Sequence, residues 1–133
     1  MDAAPANFAE RDRRAIDVFV ERAWSESGLA ENTLASYRSD LEGFARWLAG
    51  EGGGALDEVT REQIYRYLAA RAAAGVGARS NARLLSTLRR YYRLRQRDGA
   101  VETDPTLLLD PPKLPRPLPK ALAEREVEAL IRA

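Results

Sequence analysis

The sequence predicts an all-α fold: a bundle of four main helices, then a short helical turn and a Pro-rich linker. Three observations carry this. Apolar residues recur at three- and four-residue spacing in four segments, each segment is followed by glycine, and no segment alternates with the two-residue period of a strand.

The first helix is predicted from Glu10 to Ser27, where Ile16, Phe19, Val20 and Ala23 share a stripe, and Gly28 supplies its stop. Leu34, Tyr37, Leu41, Phe44, Ala45 and Leu48 form the stripe of a second helix from Glu31 to Ala49, which the glycines between Gly50 and Gly54 terminate. Thr60 and Gln63 have the spacing of a capping box, in which hydroxyl and amide satisfy first-turn donors, so a third helix starts there and carries Ile64, Tyr67 and Leu68. Gly75 and Gly77 break it. Ser80 and Asn81 are placed to cap a fourth helix that runs to Arg97 on Leu84, Leu85, Leu88, Tyr91 and Tyr92, with Gly99 as its stop.

Asp104 followed by Pro105 reads as an N-cap and first-turn proline, so one helical turn is expected over Thr106 to Leu109. Five of the seven prolines then fall between Pro111 and Pro119. A polyproline stretch of ten residues spans about 31 Å at ~3.1 Å per residue. The organisation expected is a helical domain over 1–110, a linker over 111–120, and the start of a truncated further domain over 121–133, where Leu122, Val127, Leu130 and Ile131 begin another amphipathic pattern.

Composition excludes much chemistry. With neither cysteine nor histidine among 133 residues, there is no disulfide, no thiolate metal site and no imidazole for acid-base work, so no metal or other cofactor is expected. No apolar run approaches the ~20 residues of a membrane span, and the N-terminus lacks a secretory pattern, so a cytoplasmic protein without a membrane partner is expected. Net charge is +1, but its distribution is uneven: residues 1–63 hold 7 basic and 13 acidic side chains, 64–97 hold 9 arginines and no acid, and 98–133 hold 5 basic and 7 acidic. Such a segment needs either separation of its charges by the fold or an anionic partner.

At about 100° per residue, the side of helix four opposite its apolar stripe carries Arg79, Arg83, Ser86, Arg90, Arg93 and Arg97, spaced 4, 3, 4, 3 and 4 apart. The row is about 27 Å long at ~1.5 Å per residue. No acid alternates with it, which points away from an ordinary salt-bridged surface. A helix fits the major groove of DNA, where arginine bonds guanine or phosphate, and Ser80, Asn81 and Ser86 add short polar groups. Helix two offers Asn32, Thr33, Ser36 and Ser39 in its first turns, with Arg38 beside them; such residues at a helix start also serve simply as caps. Two other readings of the basic face remain open: solvated arginines paired with acids of the N-terminal helices, and a protein-interaction module that meets an acidic partner.

Four blocks in order, Leu29 to Leu41 (LAENTLASYRSDL), Ala82 to Tyr91 (ARLLSTLRRY), Asp104-Pro105, and Pro112 to Lys120 (PKLPRPLPK), resemble the SAM-like core-binding domain of bacterial tyrosine site-specific recombinases of the phage integrase family. The likeness is to the XerC/XerD group, nearer the XerD type, and covers nearly the whole chain from Arg14. It implies a domain lying on the major groove through its second and fourth helices. By position, Thr33, Ser36 and Arg38 would face DNA from helix two, Arg79, Ser80, Asn81, Arg83, Ser86 and Arg90 from helix four, and Lys113, Arg116 and Lys120 from the linker. The implied partners are a double-stranded half-site and, for the parent protein, a partner recombinase in a tetramer on two duplexes, with no small-molecule substrate. Family chemistry runs through a 3′-phosphotyrosyl intermediate built by a C-terminal domain. None of Tyr37, Tyr65, Tyr67, Tyr91 and Tyr92 would inherit the nucleophile, so this chain is expected to bind DNA without cutting it. The implied role of the parent is resolution of chromosome dimers at cell division.

The remaining signals carry no chemistry. The run Gly50 to Gly54 lacks the lysine and the preceding strand of a phosphate loop and reads as a flexible connection. Asp57, Glu58, Asp40 and Glu42 read as solvated carboxylates, Pro112 and Pro115 as linker, and Trp24 and Trp47 as packing residues.

Overall fold

A computed structural model describes residues 8–107 and 109; the predicted linker and the pattern beyond it lie outside them. The described residues form four helices and no strand: α1 Glu10–Ser27, α2 Glu31–Gly50, α3 Arg61–Ala73 and α4 Ala78–Arg97. The fold is all-α, as the spacing of apolar residues predicts.

Helix α1 ends where Gly28 enters the left-handed region at φ 60° and its N–H bonds the Trp24 carbonyl at 2.9 Å. Only three residues separate it from α2, so the two pack as a hairpin, with Phe19 against Tyr37 at 5.8 Å between ring centroids. The capping box of α3 forms as expected: Gln63 N–H donates to Thr60 Oγ1 at 3.2 Å, and Thr60 N–H donates to Gln63 Oε1 at 2.9 Å.

All four helices contribute to one core. Ile16, Phe19, Leu41, Phe44, Leu48, Ile64, Leu84, Leu88, Tyr91 and Tyr92 are buried in it. Each large apolar side chain withdrawn in this way contributes about 1.5–3 kcal/mol. Phe44 stacks on Tyr67 at 4.8 Å, and Tyr91 meets Phe19 and Tyr92 edge-on at 5.4 and 4.9 Å.

Several expectations are corrected. Helix α4 starts at Ala78, capped by Gly77 without a side chain, so Ser80 and Asn81 lie inside its first turn and cap nothing. The glycine run is a hydrogen-bonded reversal, with Gly53 N–H on the Leu48 carbonyl at 2.8 Å, and it leads into an unpredicted 3₁₀ turn, Leu56–Glu58. Asp57 and Asp40 are not solvated. Asp57 accepts from Tyr91 and Arg95, and Asp40 is 4% exposed between α2 and α4. Trp47 packs beside Phe44 and Tyr67, but Trp24 is 61% exposed on α1.

After α4 the Asp104 carboxylate accepts the Thr106 N–H at 2.8 Å and its hydroxyl at 2.6 Å. The residues that follow form hydrogen-bonded turns in place of the expected helical turn. Buried Leu109 ends the described stretch, and its carbonyl accepts from Arg89 Nη2 at 3.1 Å.

Candidate nucleic-acid interface

Every member of the predicted row, Arg79, Arg83, Ser86, Arg90, Arg93 and Arg97, lies on α4 and is exposed. The helix buries its opposite side through Leu84, Leu85, Leu88, Tyr91 and Tyr92, so the apolar stripe fixes the direction in which the arginines project.

The row is not free of acids, however. Arg83 Nη2 lies 2.7 Å from Asp40 Oδ1 of α2, and Arg97 Nη2 lies 2.7 Å from Glu26 Oε1 of α1. Arg90 donates to the Ser27 hydroxyl at 2.8 Å and sits 5.9 Å from the Tyr37 ring centroid. Arg79 and Arg93 have no hydrogen bond or ion pair among the described residues. The expected unbalanced row is therefore partly compensated, by acids 43 and 71 residues away in sequence. The Arg97–Glu26 pair is exposed on both sides and adds little to stability, whereas the Arg83 pair has a buried carboxylate. They do lower the charge the row presents.

Glu26 is the busiest of these acids. It accepts from Arg97 and from Arg22, and those two hydrogen bonds, Arg97 first, hold its carboxyl below the ordinary glutamate range. Arg22 also reaches Asp98 at 2.8 Å. Between the C-terminal ends of α1 and α4 this network borders a cleft of about 220 Å³, with Phe19, Ala23 and Leu94 on its apolar side and Arg90, Arg93 and Arg97 on its basic side.

Helix α2 meets α4 in the opposite sense, because Asp40 touches Arg83 and Thr87 while Tyr37 lies under Arg90. Of its predicted contact residues, Asn32 is exposed and Thr33 and Ser36 are half-buried. Arg38 is half-buried, tied to Asp17 of α1 at 2.6 Å with Glu42 at 3.9 Å.

Ser80 is half-buried beside the row, but Asn81 departs from it. Asn81 is 6% exposed and both ends of its amide are engaged, Oδ1 accepting from Arg71 Nε at 2.8 Å and Nδ2 donating to the Leu68 carbonyl at 3.1 Å. It joins α3 to α4 and is not presented outward. Lys113, Arg116 and Lys120 lie outside the described residues.

Asp40 is the site residue that sequence reasoning missed. Its spacing held a signal: three residues after Tyr37 and four before Phe44, it falls on the core stripe of α2. A carboxylate in such a place needs a partner, and Arg83 supplies it.

No group of acidic side chains among the described residues is arranged to hold a metal ion, and no helix there is long and apolar enough to cross a membrane. The fold and its surface thus define a helical domain whose distinguishing feature is an exposed row of arginines on its last long helix. The phage integrase N-terminal SAM-like domain matches residues 16–99, and the chain belongs to that family.

Tyrosine recombinase XerD of Xanthomonas campestris pv. campestris is 55% identical over 122 residues, covering 92% of this chain and 38% of that protein. XerD of Pseudomonas aeruginosa is 49% identical over 118 residues, covering 89% and 39%, and XerD of Ralstonia nicotianae is 42% identical over 119 residues, covering 90% and 38%. The chain is an N-terminal domain of the XerD type and spans about two-fifths of the length of these relatives. No solved structure matches it.

Proposed function

We propose that this chain binds double-stranded DNA as the core-binding domain of a site-specific recombinase, laying the outer faces of α2 and α4 on the major groove. The observation that carries the reading is the exposed arginine row of α4, with Arg79 and Arg93 unpaired among the described residues, in a chain of this family. Guanidinium groups about one helical turn apart match the anionic backbone and the acceptor edges of guanine. Asn32, Thr33 and Ser36 complete the contact from α2, and Lys113, Arg116 and Lys120 follow the backbone beyond it.

The longer protein would cut and rejoin DNA through a phosphotyrosyl intermediate, as one member of a tetramer on two duplexes, and would resolve chromosome dimers in the cytoplasm before division. Three of the five tyrosines of this domain are not suited to that step. Tyr67, Tyr91 and Tyr92 are buried, and burial holds the hydroxyls of Tyr91 and Tyr92 well above the ordinary phenol pKa.

A salt titration of fluorescence anisotropy on a labelled duplex tests the reading. Affinity should fall linearly with salt on logarithmic axes, and Arg79→Ala and Arg93→Ala should each make the slope shallower by about 0.9. Salt-independent binding, or none at low salt, overturns it. A protein-interaction module would instead keep its acidic partner in the presence of excess duplex.

A further inference from the structure

Asp40 has a side chain only 3% exposed, yet both of its oxygens are engaged by a single turn of the neighbouring helix. Oδ1 accepts from Arg83 Nη2 at 2.7 Å and Oδ2 accepts from Thr87 Oγ1 at 2.9 Å. The Thr87 hydroxyl, itself buried, also lies 3.2 Å from the Arg83 carbonyl. Carboxylate, hydroxyl and guanidinium therefore form one cluster, and the carboxylate raises the Arg83 pKa chiefly through that hydrogen bond.

Arg83 differs from the other arginines of the row in how it is held. Its side chain is 56% exposed, so the group has one edge against a buried acid and another open to solvent. Arg97 pairs with an exposed acid, Arg90 rests on a hydroxyl, and Arg79 and Arg93 are unpaired among the described residues. Arg83 alone in the row is tethered to a carboxylate that cannot itself move into solvent.

We propose that Asp40 is a positioning residue for nucleic-acid recognition, holding the Arg83 guanidinium in one orientation across the α2–α4 seam so that its outward N–H groups meet the duplex already ordered. The proposal rests on the DNA-binding reading and assigns a role within it. Immobilising a long side chain before binding removes an entropic cost that a free arginine meets on contact.

The electrostatics make the test decisive in sign. Asp40 carries negative charge close to the face offered to phosphate, so its charge alone opposes DNA. Asp40→Asn removes that charge at constant shape. If Asp40 acts only through charge, the variant binds more tightly; if it positions Arg83, the variant binds more weakly, by roughly three- to tenfold.

The experiment measures anisotropy of a labelled mixed-sequence duplex with the full chain and with Asp40→Asn, Arg83→Lys, Arg83→Ala and the double variant Asp40→Asn/Arg83→Ala. Thermal melts confirm that each is folded. Weaker binding by Asp40→Asn and by Arg83→Lys, with no further weakening when Asp40→Asn is added to Arg83→Ala, supports the proposal. A merely structural role would weaken binding in both backgrounds, and that outcome overturns it, as does tighter binding by Asp40→Asn.

A second measurement separates this from failure of the DNA reading. In the free chain the Arg83 Nε–H resonance should show restricted motion by ¹⁵N relaxation, and should lose it in Asp40→Asn. Mobile Nε–H in a chain that binds duplex overturns the positioning role alone. Restricted Nε–H in a chain that does not bind duplex overturns the DNA reading, and the role assigned to Asp40 with it.

Discussion

The Tyr91 hydroxyl donates to Asp57 Oδ1 at 2.8 Å, joining the middle of α4 to the 3₁₀ turn that precedes α3. Arg95, one turn further along α4, holds the same carboxylate through Nη2 at 2.7 Å. The neighbouring Tyr92 hydroxyl donates to the Leu56 carbonyl at 2.5 Å, so three side chains of α4 fasten this short turn. Tyr91→Phe removes one of these bonds without opening a cavity. It should lower unfolding free energy in urea by about 1–2 kcal/mol, a loss moderated because Arg95 still satisfies Asp57.

Asn81 provides a contrasting substitution, because it lies on the helix that carries the arginine row but faces α3. Asn81→Ala leaves Arg71 Nε and the Leu68 carbonyl without their partner and should destabilise the fold by about 1–3 kcal/mol. The salt slope of duplex binding, measured on the folded variant, should match that of the unaltered chain.

Glu26 should act in the other direction. Its carboxylate engages Arg22 and Arg97, and Glu26→Gln leaves Arg97 without its acid while Arg22 keeps Asp98. Duplex affinity at low salt should rise and the salt slope should steepen by about one unit for each arginine that gains a phosphate. An unchanged slope would show that the C-terminal end of the row does not reach the duplex.

Asp12 gives a pH signature. It is buried and accepts the Leu56 N–H at 3.0 Å, and burial, outweighing that hydrogen bond, raises its carboxyl above the ordinary aspartate value of 3.8. A raised folded pKa means that stability is fully present below pH 3.8 and is lost as pH rises through the folded value. Asp12→Asn should therefore be at least as stable as the unaltered chain at neutral pH, and the difference should shrink as pH falls through the window just above 3.8. Urea midpoints across an acid pH series read this directly.

Helices were legible in the sequence because their apolar spacing and their glycine stops are local. The capping box of Thr60 and Gln63 was legible for the same reason. The 3₁₀ turn was not, since three residues carry no period and its fastenings come from Tyr91, Tyr92 and Arg95, more than thirty positions away. The same distance hid the partners of the arginine row: spacing placed Arg83 and Arg97 on one face, but only the packing of α4 against α2 and α1 brings Asp40 and Glu26 to them. Asn81 reads as a cap only for a helix that starts at Ser80; with the start at Ala78 it is an interior residue. Trp24 was expected to pack by its chemistry, and nothing in the structure explains its exposure.

The bond from Arg89 to the Leu109 carbonyl has a mechanical consequence. Leu109, the last described residue, is stitched to α4, the helix that carries the arginine row. Tension applied at Leu109 is thus delivered to the row's own scaffold and not taken up by slack in the segment that follows α4.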